Sequence, residues 1–193
     1  MALETDHRGG WPPTTPGEQM VVALGGNGRR PRAVARSLAH QAPGALHLAV
    51  SLQVVEPSGR WVLQRRAASK AGFGGLWANT CCTHPGPGED PVAAAIRRSR
   101  QEVGLVVAGL VPAGSFVYRA VDEVSGLVEW EHDLVFVAVA DASGAVPDPE
   151  EIDELACLPY AEALRRATSP AGAPWAAEVL RLSSVALGTV ALT

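Results

Sequence analysis

Six side chains suited to metal binding and proton transfer stand out in a chain that has only five histidines and three cysteines. They are His40, His47, His84, Cys82, Glu129 and Glu131. The cysteine lies two residues before a histidine in WANTCCTHP (77–85), and the two glutamates alternate in VEWEHDLVFV (128–137). The apolar run that ends this second segment favours a strand. Because strand side chains repeat every second residue, the two glutamates are predicted to share one face.

Imidazole and carboxylate groups together suit a divalent metal of hard to borderline character, and a nearby thiol can carry protons. The set therefore suggests metal-assisted acid–base chemistry. Each residue alone has a plainer explanation. A single histidine on an apolar strand, such as His47, is more often a core residue than a ligand. Composition does not distinguish Cys81 from Cys82, because small thiols are common in cores.

The overall composition excludes several classes of partner. With 193 residues, 47% of them hydrophobic, the chain can form one domain with a sizeable core. A net charge of −4 and a pI near 5.7 argue against nucleic acid and anionic membranes as partners. Three cysteines do not make a disulfide framework, and no signal peptide or membrane span is evident. We therefore expect a cytoplasmic protein, monomeric or weakly dimeric, whose partner is a small molecule.

The pattern along the chain predicts a disordered N-terminal arm (1–18), a single domain (19–185) and a C-terminal tail (186–193). Strands are predicted at 20–24, 45–55, 60–64, 114–120 and 127–138, with a hairpin turn at GGNG (25–28) and a glycine-rich loop at 71–75. Helices are predicted at 90–103, 150–155, 160–167 and 174–182. Mixed strands with a few helices predict an α+β sandwich.

The helix at 90–103 is the most clearly delimited element. Asp90 is a good N-cap, the proline that follows suits the first helical position, and Gly104 suits the C-terminal end. The helix ends in RRSRQEVGL (97–105), which resembles the end of the Nudix box, G-x5-E-x7-R-E-U-x-E-E-x-G-U. The positions that fit the box are Glu89, Arg97, Glu102 and Gly104.

Three positions depart from this box: Thr83 replaces its first glycine, and Arg98 and Gln101 replace two of its glutamates. A Nudix hydrolase needs several of those carboxylates to gather metals around a diphosphate and to activate water. Only Glu102 remains of the paired positions, so hydrolysis is disfavoured. The plainer explanation of Glu102 is a helix-surface residue that pairs with Arg98 one turn earlier.

The order of the motifs resembles type I isopentenyl-diphosphate isomerases, which belong to the Nudix superfamily. Five segments agree in order and spacing over about residues 20–180. They are AHQAPGALHLAVS (39–51), RRAASK (65–70), WANTCCTHP (77–85), the eroded box, and YRAVDEVSGLVEWE (118–131). The resemblance implies a Nudix-like α/β/α sandwich with a mixed sheet. It also implies an isomerase of isoprenoid biosynthesis that converts isopentenyl diphosphate to dimethylallyl diphosphate.

The same resemblance implies roles for individual residues. Cys82 would be the catalytic thiol and Glu131 the catalytic carboxylate. One divalent metal (Mn²⁺, Zn²⁺ or Mg²⁺) would be held by His40, His47, His84, Glu129 and Glu131. Glu102 would meet a Mg²⁺ ion that arrives with the diphosphate. The prenyl diphosphate would contact Arg66, Lys70, Arg36, Arg98, Tyr118 and Trp175.

Three alternatives stay open at this point. The first is an isomerase-like relative that acts on another prenyl diphosphate, for example as a cyclase; Trp130 and Phe73 are positions where such a change could show. A Nudix hydrolase is disfavoured by the eroded box. A Nudix-derived ligand sensor has no need of the complete thiol–carboxylate pair. The sequence does not decide the native metal, or which of Cys82 and Glu131 protonates first.

Overall fold

The computed structural model describes residues 18–25 and 30–190, which form nine strands and four helices. The strands are β1 (Met20–Ala23), β2 (Arg32–Ala35), β3 (His47–Val55), β4 (Trp61–Arg66), β5 (Trp77–Ala78), β6 (Cys81–Thr83), β7 (Val111–Val121), β8 (Val128–Val139) and β9 (Ile152–Leu158). The helices are α1 (Arg36–His40), α2 (Pro91–Arg98, followed by a π-helical turn at Ser99–Val103), α3 (Tyr160–Ala167) and α4 (Ala176–Val190). Within these ranges, no helix combines the length and apolar composition that crossing a bilayer requires.

Strand β3 is the centre of the sheet. It pairs antiparallel with β1, β4 and β6, and parallel with β8, from His47 opposite Glu131 to Val55 opposite Val139. The outer pairs are all antiparallel: β1 with β2, β4 with β5 and β9, and β8 with β7. The result is a mixed, open sheet in which β3 and β8 run side by side in the same direction. Residues at matching positions on these two strands therefore project to the same face.

Helices cover both faces of this sheet. On β3, Val50, Leu52 and Val54 belong to one core together with Ala95 of α2. Val55, at an odd position, belongs to the opposite core, which includes residues of α3 and α4. The structure thus confirms the predicted α/β/α sandwich with a mixed sheet. Burial on both sides also explains why β3 is nearly continuously apolar instead of alternating.

The predicted helix at 90–103 is confirmed, including both of its ends. The carboxylate of Asp90 accepts a hydrogen bond from the backbone N–H of Ala93, and Pro91 is the first helical residue. Gly104 ends the segment at φ 72°, where a Cβ would lie 2.6 Å from the carbonyl oxygen of Val146. The last turn is π-helical, a local widening common at functional sites. This turn carries Glu102, which is buried.

One predicted helix is wrong. The sequence predicts a helix at 150–155, but Ile152–Leu158 is strand β9. It pairs antiparallel with β4, from Trp61 opposite Leu158 to Arg66 opposite Ile152. Both end residues of β9 are buried. Tertiary pairing and burial therefore override a weak local preference.

Other elements are longer than predicted or were missed. The last helix, predicted at 174–182, continues to Val190, into the segment predicted as a tail. The short elements β2, α1, β5 and β6 have too few residues for a periodic pattern, and the sequence did not predict them. Strands β1 and β2 do pair as a hairpin, although most of the predicted GGNG turn (25–28) lies outside the described residues. The predicted N-terminal arm also lies outside them, apart from residue 18.

Candidate active site

Five buried side chains converge at one end of the central strand pair. His47 on β3 and Glu131 on β8 face each other in register, and Glu129 lies two residues earlier on β8. His40 is the last residue of α1, and His84 follows β6 directly. One ligand atom from each of the five lies within 4.8 Å of all the others. The structure thus brings together the whole predicted histidine and glutamate set.

Hydrogen bonds at the far side of two rings orient them toward this centre. Nδ1 of His40 donates to the carbonyl of Arg36 (2.7 Å), and Nδ1 of His47 donates to the carbonyl of Ala45 (2.7 Å). In the neutral rings, Nε2 therefore carries a lone pair. Both Nε2 atoms are buried and face carboxylates: Nε2 of His40 lies 2.8 Å from Oε2 of Glu129, and Nε2 of His47 lies 3.5 Å from Oε1 of Glu131. Buried acceptors of this kind that converge on one point fit a metal ion, so the group can hold a divalent metal.

Glu131 has a partner at each of its two carboxylate oxygens. Its Oε1 lies 2.7 Å from Nε2 of His84, and its Oε2 accepts a hydrogen bond from the hydroxyl of Tyr118 (2.7 Å). Burial opposes ionisation, but hydrogen bonds from His47 and His84 outweigh it and hold the pKa of Glu131 well below its usual value. Burial, and then the charge of Glu131, raise the pKa of Tyr118 well above its usual value. The pair is therefore an ionised carboxylate beside a phenol that keeps its proton.

Cys82 lies on β6, opposite Ser51 of β3. Its thiol donates to Oδ1 of Asn79 (3.1 Å) and is 3.3 Å from the hydroxyl of Ser51, which donates to Asp133 (2.7 Å). Burial, and then the charge of Asp133, raise the pKa of Cys82 to about 12. The thiol thus holds its proton at neutral pH. The adjacent Cys81 points to the other face and lies in the core beneath α2.

An aromatic wall closes one side of the site. Trp175 is buried, with ring centroids 5.8 Å from Tyr118 and 5.4 Å from Phe73. Phe73 adopts a left-handed backbone conformation (φ 53°), which is costly for a bulky residue and is typical of functional sites. Its carbonyl accepts a hydrogen bond from Nε of Arg66 (3.1 Å), and its N–H donates to Asp122 (3.2 Å). These contacts hold the strained residue against the indole.

Cations lie at the opposite end of the same site. Lys70 contacts Glu102 (2.8 Å) and also Glu151. Arg98 contacts Glu102 and lies 2.9 Å from Glu151. Glu102 is only 1% exposed and is enclosed by these two cations. The predicted pairing of Arg98 with Glu102 is thus present, and the environment of Glu102 is cationic.

A cavity of about 310 Å³ joins these parts. Ten of the predicted site residues line it: Arg36, Arg66, Lys70, Cys82, His84, Arg98, Tyr118, Glu129, Glu131 and Trp175. His40, His47 and Glu102 are not among the lining residues, because the two histidines lie beneath the cavity floor and Glu102 lies behind its cations. The arrangement places a protonated thiol, an ionised carboxylate, an aromatic wall and cations around one small space.

The sequence did not predict several residues of this site. Asn79 and Ser51 contact Cys82, Asp133 accepts a hydrogen bond from Ser51, and Glu151 contacts Lys70 and Arg98. A signal existed for two of them. Asn79 lies in the WANTCCTHP motif, and Asp133 continues the alternation begun by Glu129 and Glu131. Ser51 and Glu151 become recognisable only once β3 and β9 are placed beside their neighbours.

Known proteins are similar to this chain in sequence and in fold. The NUDIX domain matches residues 45–182. The isopentenyl-diphosphate Delta-isomerase of Streptomyces griseus is 42% identical over 161 residues, which cover 83% of this chain and 81% of that protein. The isopentenyl-diphosphate Delta-isomerase of Nocardia farcinica is 46% identical over 150 residues, which cover 77% and 85%.

Similarity of fold extends to more distant structures. A crystal structure of a protein from Deinococcus radiodurans matches with a TM-score of 0.67 at 17% identity, covering 86% of this chain and 99% of that one. This likeness concerns the fold alone. The sequence relatives are similar over most of both chains. The chain therefore belongs to the isopentenyl-diphosphate Delta-isomerase family, within the NUDIX fold.

Proposed function

We propose that this protein interconverts isopentenyl diphosphate and dimethylallyl diphosphate by moving a carbon–carbon double bond through one position. The observation that carries the proposal is the composition of a single cavity. It contains a thiol, Cys82, that keeps its proton, and a carboxylate, Glu131, that stays ionised. Protonation and deprotonation of one small apolar group require such an acid–base pair on the walls of one space.

The reaction needs two proton transfers to and from carbon. One group adds a proton to the terminal methylene carbon of isopentenyl diphosphate, which leaves a tertiary carbocation. A second group removes a proton from the carbon nearer to the diphosphate, which forms the new double bond. We assign these two steps to Cys82 and Glu131. Tyr118 donates to Glu131 at 2.7 Å and orients that carboxylate.

The tertiary cation requires stabilisation away from water. Trp175 presents a large π system, and such a face contributes about 2 kcal/mol or more to a desolvated cation. The indole is buried beside Tyr118 and Phe73, so few water molecules can compete. This wall suits a five-carbon apolar tail, and we assign Trp175 and Tyr118 to it.

The anionic end of the substrate fits the basic end of the cavity. We propose that Lys70, Arg98, Arg36 and Arg66 bind the diphosphate, as charge-assisted contacts to phosphate oxygens are strong and directional. Arg66 also holds the Phe73 loop through two backbone carbonyls. Arg66 therefore connects diphosphate binding to the aromatic wall, because its guanidinium lies 5.5 Å from the centre of the Trp175 ring.

Two metal requirements complete the proposal. His40, His47, His84, Glu129 and Glu131 would hold one divalent ion, and imidazole together with carboxylate suits Mn²⁺, Zn²⁺ or Mg²⁺. An ion bound there would act as a Lewis acid, and its positive charge would hold Glu131 in the ionised form. Mg²⁺ that arrives with the diphosphate would meet Glu102. The free Cys81, Cys82 and Cys157 support a reducing, cytoplasmic location for a protein that works as a monomer or a weak dimer.

Deuterium incorporation tests the function directly. The purified protein is incubated with isopentenyl diphosphate, Mg²⁺ and Mn²⁺ in deuterated water, and the products are followed by NMR. The expected result is deuterium in the new methyl group of dimethylallyl diphosphate. Release of inorganic phosphate without isomerisation would instead indicate a hydrolase. Conversion of longer prenyl diphosphates, with isopentenyl diphosphate left unchanged, would instead indicate an isomerase-like relative that acts on another prenyl diphosphate.

A further inference from the structure

A buried carboxamide links the thiol to the aromatic wall. Asn79 lies between β5 and β6 and is fully buried. Its Nδ2 donates to the carbonyls of Leu52 (3.1 Å) and Cys81 (2.9 Å). Its Oδ1 accepts from Sγ of Cys82 (3.1 Å) and from Nε1 of Trp175 (3.1 Å). Every polar atom of this side chain is therefore engaged.

The chemistry of these partners fixes the orientation of the amide. A backbone carbonyl can only accept a hydrogen bond, and an indole N–H can only donate one. The NH₂ group must therefore face the two carbonyls, and Oδ1 must face Trp175. A 180° rotation of the amide would break all of these contacts. Since Oδ1 can only accept, its contact with Cys82 requires that the thiol proton points toward Asn79.

We infer that Asn79 is a positioning residue, which fixes the thiol of Cys82 and the indole of Trp175 relative to each other. This inference rests on the isomerase function proposed above. The two carbonyl bonds anchor the amide to β3 and β6, so one rigid group on the sheet orients both the proton-carrying atom and the cation-facing ring. Asn79 is not among the residues that line the cavity, and it acts through its two partners.

Loss of the Asn79 side chain should lower turnover and leave substrate binding nearly unchanged. A misplacement of about 1 Å at a reacting group can lower a rate about 100-fold. The side chain of Asn79 hydrogen-bonds to none of the residues that we assign to the diphosphate. We therefore expect Asn79→Leu to lower kcat by about 10- to 100-fold. KM should stay within about threefold of its wild-type value, because ground-state binding is unaffected.

Gln53→Leu is the matched control. Gln53 is also a fully buried carboxamide on the same sheet, but it donates to the carbonyls of Val54 (2.7 Å) and Val62 (3.1 Å). Both variants remove hydrogen bonds to buried carbonyls and should lower the melting temperature. Only the Asn79 variant should lose kcat. Asn79→Ser, which keeps a small polar side chain too short to span the same partners, serves as a second variant if the leucine variant does not fold.

An NMR measurement tests the hydrogen bond without any turnover. The indole N–H resonance of Trp175 is identified by its loss in Trp175→Phe. In Asn79→Leu or Asn79→Ser this resonance should shift and exchange faster with solvent, and in Gln53→Leu it should not. Absence of isomerisation by the wild-type protein would refute the proposed function and leave this bond measurable. A folded Asn79 variant with a lost indole bond and wild-type kcat would overturn the positioning role, as would an equal loss of kcat in Gln53→Leu.

Discussion

The carboxylate of Glu151 should stabilise the folded protein in a pH-dependent way. It contacts both Lys70 and Arg98, and it lies next to the exposed Glu150. Burial opposes its ionisation, but hydrogen bonds and charge from Lys70, and then from Arg98, lower its pKa from 4.5 to about 2. At about 1.4 kcal/mol per pKa unit, this shift corresponds to at most about 3 kcal/mol. Because the side chain is 25% exposed, solvent screening reduces our expectation to about 1–2 kcal/mol.

The sign of the pH dependence follows from the direction of the shift. The pKa is lower in the folded state, so the stabilisation is fully present above about pH 4.5 and is lost as the pH falls toward 2. Glu151→Gln should therefore lower the free energy of unfolding by about 1–2 kcal/mol at pH 7. For a chain of this size, the melting temperature should fall by roughly 2–8 °C. The difference from wild type should shrink below about pH 4.

Urea unfolding of both proteins at pH 7, 5 and 3.5 measures this difference. Glu150→Gln, which removes a charge from the neighbouring exposed position, is the control and should change stability by less than about 0.5 kcal/mol. A difference between Glu151→Gln and wild type that stays constant across this pH range would refute the ion-pair argument. So would equal effects of the two glutamine variants.

Four further predictions concern the site. Cys82→Ala should abolish isomerisation while Cys81→Ala retains most of it, because the two thiols lie on opposite faces of the sheet; equal losses in turnover assays would contradict this. For wild type, Mn²⁺ at 100 times its Kd should add about 2.7 kcal/mol to stability, and His84→Ala should lose this gain in thermal unfolding measured with and without EDTA. Lys70→Ala should raise KM for the diphosphate substrate more than it lowers kcat, and an unchanged KM would place the anion elsewhere. Trp175→Phe should retain appreciable turnover and Trp175→Leu much less, whereas a purely structural indole predicts a lower melting temperature with normal kcat.

The parts of the fold that the sequence predicted well are those with strong local signals. The helix around residues 90–103 has a capping aspartate, a proline at its start and a glycine at its end, and each of these acts over a few residues. Strand β3 is nearly continuously apolar because both of its faces are covered, and β8 is recognisable by the apolar run at 134–137. Strand β9 was mistaken for a helix because its pairing with β4 depends on residues about ninety positions earlier. No local pattern contains that information.

The residues of the site also fall into those with a local sequence signal and those that depend on distant parts of the chain. The set of histidines and glutamates was predictable because histidine is rare in this chain and the motifs that carry the set keep a fixed spacing. Asn79 lies within a recognised motif, yet its positioning role depends on hydrogen bonds with Leu52 and Trp175, which come from distant parts of the chain. The tautomers of His40 and His47 likewise depend on backbone carbonyls that only the folded chain places. Hydrogen-bond networks are properties of the tertiary structure, and composition does not reveal them.

The charges around Glu102 explain how a hydrolase-type fold can favour isomerisation. In the Nudix box, carboxylates gather around this helix and attract metals; here position 98 is an arginine, and it neutralises the remaining glutamate together with Lys70. Glu151 balances the second cation, so the four charges of this cluster sum to zero. The acidic residues with histidine neighbours, Glu129 and Glu131, lie instead on β8, on the face of Trp175. The group of side chains that can hold a divalent metal thus centres on β8 and its neighbours, whereas the helix of the eroded box keeps one buried glutamate that is already paired with two cations.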